Sequence, residues 1–174
     1  MELLADGSLL IVFRADCGDG QHHRHPFGRF APYMQTRSRD GGLTWSAAAP
    51  IPGTPGCAYP QLLRLASGPL LLSGGRSVYN ATDDNDVWVS WDGDGSNRWE
   101  RHALSGVHNA GAARTGALTY DAWRVNGTRV ATLEHRQTCA YTWLLAVGGS
   151  AALVGYDLIE NGTKHGYAMR IDVK

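Results

Sequence analysis

Ser38-Arg39-Asp40-Gly41-Gly42-Leu43-Thr44-Trp45 has the form S-x-D-x-G-x-T-W, and each fixed position has a physical task. The Asp40 carboxylate can accept backbone N–H bonds across a tight turn. Gly41 and Gly42 can take the positive φ angles that such a turn needs. The hydroxyls of Ser38 and Thr44 can tie its two ends together. Trp45 is expected to open the next strand and to lie over the turn as an apolar plug. These eight residues predict a hairpin turn between two β-strands.

A second stretch supports the first. Ser90-Trp91-Asp92-Gly93-Asp94-Gly95-Ser96-Asn97-Arg98-Trp99 keeps the serine (Ser90), the aspartate (Asp92), a glycine (Gly95) and the closing tryptophan (Trp99), but is longer and lacks the threonine. Ser38 and Ser90 are 52 positions apart, about the length of a four-stranded propeller blade. The first turn resembles the Asp box, or BNR repeat, of sialidase-type β-propellers, and the second resembles a degenerate copy. That resemblance implies blades. It implies no particular activity, because Asp boxes resemble one another across hydrolases and plain binding propellers.

Composition fits an all-β chain. The 174 residues can bury a core without disulfides or metals. The 22 glycines, 6 tryptophans and 18% charged residues suit many short strands joined by tight turns. The formal net charge is zero and the sequence pI about 7.0, so there is no basic surplus for a nucleic-acid partner. No apolar run is long enough to span a bilayer, and no cofactor is expected. Cys17, Cys57 and Cys139 have neither metal-ligand spacing nor a complete disulfide framework; one pair plus a thiol, and three thiols, both remain open. Asn80, Asn126 and Asn161 each begin an N-x-T sequon, which points to a secreted or lumenal protein. Two of the three are Asn-Gly, also the preferred two-residue hairpin turn.

Taken in order, the chain opens with two apolar runs joined by Asp6-Gly7, a β-hairpin signal. It lacks the basic start and small-residue cleavage site of a signal peptide, and a chain that begins inside a hairpin reads as truncated. Residues 16–29 form a polar loop. Its His22, His23 and His25 are clustered, but no ligand recurs at helical spacing beside them, and no metal is expected. Residues 33–38 form the strand entering the first turn, and residues 50–56 a Pro/Gly connector. Residues 58–76 repeat the opening hairpin, with 65–72 beside 4–11. Residues 87–90 and 99–104 flank the second turn. Residues 117–123 and 129–134 flank Asn126-Gly127, residues 140–157 form a third hairpin, and 166–173 a last strand. The expected fold is an all-β propeller of four-stranded antiparallel blades, divided at 1–55, 56–106 and 107–174, with no sustained helical period.

The second hairpin, Tyr59-Pro60-Gln61 through the apolar strand pair to Arg76, is similar to a sialidase segment that runs from a glutamate through Pro-Gln to an arginine. The third, around Tyr141-Thr142-Trp143-Leu144, is similar to the Tyr-Ser-x-Leu…Leu-Leu-Tyr-Glu segment of the same glycoside hydrolases. The resemblance covers most of the chain as scattered short motifs. It implies six blades, three arginines that hold a sialic-acid carboxylate, a tyrosine nucleophile assisted by a glutamate, and an aspartate acid/base. A neutral hydroxyl suits a substrate whose own carboxylate would repel a carboxylate nucleophile. By position, Tyr141 matches the nucleophile and Arg76 one arginine, whose planar fork suits a carboxylate. Arg14 ends an equivalent strand and is the candidate second arginine. Asp16 or Asp19 stands where the acid/base is expected.

The chain also departs from the pattern. Tyr59 occupies the position of the base glutamate, which makes it a substrate-contact candidate. Asp157 stands where the Leu-Leu-Tyr-Glu glutamate would be. There is no Phe-Arg-Ile-Pro motif, and Arg136 is the nearest unmarked candidate for a third arginine. Two functions follow: a hydrolase acting on sialic acid or a related acidic sugar, and a catalytically silent Asp-box propeller that binds glycan or protein. A calcium site at Asp92-Gly93-Asp94 lacks the later bidentate glutamate of an EF-hand loop. At roughly 45–50 residues per blade, the chain supplies three to four blades where the resemblance implies six. The remaining blades are expected upstream of Met1, or two chains complete a ring by self-association through open edges.

Overall fold

A computed structural model describes residues 1–15, 32–52, 54, 59–75, 85–96, 98–104, 107–108, 123–125, 128–130, 138–160 and 163–173. The described strands are all antiparallel to their neighbours. The first sheet is β1 (Glu2–Leu3), β2 (Leu9–Phe13), β3 (Met34–Ser38) and β4 (Ala49–Pro50), in that order. The second is β5 (Gln61–Arg64), β6 (Leu70–Gly75), β7 (Asn85–Ser90) and β8 (Glu100–Ala103). A two-stranded ladder pairs β9 (Trp123–Val125) with β10 (Thr128–Val130). The third sheet is β11 (Thr138–Ala146), β12 (Ala151–Glu160) and β13 (Thr163–Asp172). Leu104, Val107 and His108 have helical backbone, and no other described residue does.

The tight turns follow from local chemistry. Leu4 N–H donates to Ser8 O at 2.8 Å and Leu65 N–H to Pro69 O at 2.9 Å, and each turn holds a glycine with positive φ at the fourth position. Val147 N–H donates to Ala151 O in the third hairpin, where the positive-φ glycine is instead the second residue, Gly148. Strand pairs Val125↔Thr128 and Glu160↔Thr163 stand on either side of the two Asn-Gly dipeptides, where a two-residue connection favours that sequence. The strands beside Asn126 therefore reach closer to the dipeptide than expected, and residues 117–122 and 131–134 lie outside the described residues. β11, β12 and β13 each run further than expected, because β12 and β13 stay paired up to the second dipeptide.

Side-chain parity explains how the sheets stack. Along β6, Leu70 and Leu72 face the first sheet, where they meet Leu4, Leu10, Val12, Tyr33 and Ile51. Leu71 faces the other way and joins Val87, Val89, Ala152, Val154 and Tyr156 in a core shared with the third sheet. Trp88, between those two valines, points back to the first sheet and meets Tyr33 edge-on, with ring centroids 6.2 Å apart. The second sheet is thus covered on both faces, and β7 is buried at every position. This is why β6 opens with an unbroken apolar run instead of an alternating pattern. The buried Asp86 carboxylate within β7 is paired by Arg101 Nε at 2.8 Å.

The first turn is built as its residues predict. Gly42 N–H donates to Ser38 Oγ at 2.8 Å, Ser38 Oγ donates to Asp40 Oδ1 at 2.7 Å, and Thr44 N–H donates to the same oxygen at 2.9 Å. The Thr44 hydroxyl donates to Asp40 Oδ2. Trp45 differs from expectation. It opens no strand, because its indole N–H donates back to Gly42 O at 3.0 Å and keeps it with the turn; the next strand begins only at Ala49.

The second turn shares this work between two carboxylates. Ser90 Oγ donates to Asp92 Oδ1 and accepts from Gly95 N–H at 3.1 Å, one residue later than in the first turn. Asp94 then takes the part that the missing threonine leaves open, accepting from the N–H and hydroxyl of Ser96. Trp99 packs between the first two sheets. Arg37 of β3 donates to the backbone carbonyl of Asp94 and lies 3.5 Å from Asp6, tying the two turns together.

Candidate functional site

Strand register sets two ends for the stack. Phe13 pairs with Met34 and Leu9 with Ser38, so Arg14 lies at the end of the first sheet opposite its Ser38 turn. Gln61 pairs with Ser73 and Leu70 with Ser90, so Tyr59 lies at the end of the second sheet opposite its Ser90 turn. Three of the residues singled out from sequence meet at this end. The Tyr59 and Tyr141 rings stack with centroids 5.3 Å apart and planes 24° apart. The Arg14 guanidinium carbon lies 5.2 Å from the centre of the Tyr59 ring, within cation–π range.

Tyr141 owes its position to an irregularity in β11. Pairing with β12 is regular from Thr142↔Tyr156 through Ala146↔Ala152 and again at Cys139↔Asp157, with a register shift between. Such irregularities bend a strand and re-aim a side chain. Thr142 turns inward, where its hydroxyl lies 2.7 Å from that of Ser73. Tyr141 is 56% exposed. Asp157 is half-buried on β12, across from Cys139 at the edge of the same irregularity. Asp16, Asp19, Arg76 and Arg136 lie outside the described residues, as do the histidines at 22, 23 and 25, Cys17 and Cys57.

Chemically, the described residues at this end offer two flat phenol rings, their hydroxyls and one guanidinium. Rings of this kind present an apolar face with a polar rim, and the guanidinium is a planar fork for a carboxylate. Ser73 and Thr142, which fasten β11 to β6 below the rings, carry no motif that would single them out in the sequence. Among the described residues, no group of three or more His, Cys, Asp or Glu is placed to hold a metal ion. No helix among them is long and apolar enough to cross a membrane.

Neither a protein-family model nor a curated protein matches this sequence.

Proposed function

We propose that the chain forms part of a sialidase-like β-propeller that binds an acidic sugar, without cleaving it, at the Arg14–Tyr59–Tyr141 end. Two features support the propeller. Leu4 and Leu10 turn toward the second sheet, and their equivalents 61 positions on, Leu65 and Leu71, turn toward the third. The first two sheets therefore offer the same face forward, as successive blades do. The Asp-box-like turns also lie together at one end and the aromatic cluster at the other.

The Tyr59–Tyr141 stack carries the choice of binding over hydrolysis. A tyrosine nucleophile needs a neighbouring carboxylate to take its proton. Here an aromatic ring lies against Tyr141 from the position where the resemblance puts that base. In this reading the stacked rings take the apolar face of the sugar and Arg14 takes its carboxylate. A secreted or lumenal location goes with such a ligand. The N-x-T sequons at Asn80, Asn126 and Asn161 support it.

Calorimetric titration with N-acetylneuraminic acid and with its methyl ester, beside incubation with a fluorogenic sialoside, tests the proposal. Binding of the free acid, weaker binding of the ester and no fluorophore release are expected. Release that disappears in Tyr141→Phe would replace it with the hydrolase reading. Equal binding of acid and ester, or none of either, would overturn it.

A further inference from the structure

We infer that the groove beside the two tryptophan-closed turns is a carbohydrate site separate from the Arg14–Tyr59–Tyr141 cluster, and that it takes a neutral hexose unit. The groove has a volume of about 690 Å³, within the range of sites that hold small organic ligands. Trp45 and Ser46 from the first turn, Asp94 and Ser96 from the second, and Gln35 of β3 all line it.

Three observations identify the ligand chemistry. Trp45 is 37% exposed although its indole is fixed by the bond to Gly42 O. A fixed, exposed aromatic face is what the C–H face of a sugar ring stacks on, at little cost in side-chain freedom. Next, most of the polar atoms around the groove are already committed. The Thr36 hydroxyl donates to Ser46 O, the Thr44 hydroxyl to Asp40 and the Ser96 hydroxyl to Asp94. Against that background, the Gln35 side-chain carbonyl oxygen is buried and has no hydrogen-bond partner among the described residues. A buried acceptor left unmade is costly, and because Gln35 lines the groove, a turn of its side chain toward a ligand hydroxyl there would satisfy it.

The third observation is electrostatic. The Arg37 and Arg39 guanidinium groups lie 3.5 Å and 3.9 Å from Asp6, and Asp94 also lines the groove. The carboxylates of Asp6, Asp94 and Asp40, which holds the lining Thr44, outnumber the two guanidinium groups, so no net field selects an anion. Arg39, its side chain 77% exposed, still has donors to spare. A buried acceptor, an exposed donor fork and an aromatic wall match adjacent hydroxyls on an uncharged pyranose ring.

The test uses the full chain with the methyl glycosides of glucose, galactose, mannose and N-acetylglucosamine, read by saturation-transfer NMR and tryptophan emission. At least one glycoside is expected to bind and to change the emission, with that change absent in Trp45→Phe. Gln35→Leu should weaken binding about tenfold, the loss of one buried hydrogen bond. Arg39→Ala, at an exposed position that leaves the fold intact, should weaken it by about threefold. Tyr141→Ala should leave it unchanged, which separates this groove from the acidic-sugar site. No binding by any of the four glycosides would overturn the inference. So would binding that follows Tyr141 and is indifferent to Gln35 and Arg39.

Discussion

The hydroxyls of Ser73 and Thr142, 69 residues apart in sequence, lie 2.7 Å from each other in the buried contact between β6 and β11. This bond holds the strand that carries Tyr141 against the second sheet. Ser73→Ala leaves the Thr142 hydroxyl buried and unpaired, and should cost about 1–3 kcal/mol in urea unfolding. Adding Thr142→Val removes the orphaned group, so the double variant should be less destabilised than the sum of the two single ones. Strict additivity would show that the pair does not act as a unit.

Arg14→Ala should weaken binding of a carboxylated sugar by about 1.5–3 kcal/mol, the usual worth of a hydrogen bond to a charged group. The same variant should leave binding of the methyl ester almost unchanged. Calorimetry with both ligands measures the difference. Equal losses for acid and ester would mean that Arg14 supports Tyr59 and does not touch the carboxylate.

Gly41 and Gly95 have nearly the same backbone, φ +72° and +68°, but different surroundings. A Cβ on Gly41 meets nothing within 4 Å, while one on Gly95 would lie 2.9 Å from Leu10 and 3.2 Å from Leu70 and Trp99. Gly41→Ala should therefore cost only the left-handed strain, about 1–2 kcal/mol. Gly95→Ala should lose that and about 1–3 kcal/mol more through overpacking between the first two sheets. Thermal melts of the two variants should rank accordingly, and equal melts would refute the packing argument.

Acid should leave the first turn intact longer than an ordinary carboxylate allows. The Thr44 hydroxyl, then the Thr44 N–H and the Ser38 hydroxyl, hold the Asp40 carboxyl down from 3.8 to about 2. A lowered folded-state value means that its contribution to stability is complete above the ordinary value and fades as pH falls from 3.8 to about 2. Carbon-detected NMR of the carboxyl should give a midpoint near 2, and Asp40→Asn should remove that part of the acid sensitivity. A midpoint at the ordinary value would mean that these bonds do not form in solution.

The turns were legible in the sequence because their chemistry is local. Every hydrogen bond of the Ser38 turn closes within four residues, so residue type and spacing contain the whole argument. For Trp45 the same local logic places the indole over the turn, as found, but not the start of the next strand, which waits until Ala49 because the indole N–H bonds back to Gly42 O. The aromatic cluster was legible only as separate members. A resemblance pointed to Arg14, Tyr59 and Tyr141 one at a time, but their meeting depends on how three sheets stack. Gln35 was not legible at all: a buried acceptor without a partner is a property of the packed groove, and a polar residue in a strand gives no sign of it.

Each described sheet joins strands that follow one another in the chain, and this bears on how the protein is made. During synthesis the first sheet has all its strands once Pro50 has emerged, and the second once Ala103 has. The face of the second sheet that carries Leu71, Val87 and Val89 must wait for strands that begin at Thr138. Between those points the nascent chain exposes a finished but half-covered apolar sheet, the kind of intermediate that holding chaperones recognise. A pause in translation within residues 104–137 would lengthen that exposure, and aggregation during expression should be more sensitive to synonymous changes there than in the codons for residues 1–50.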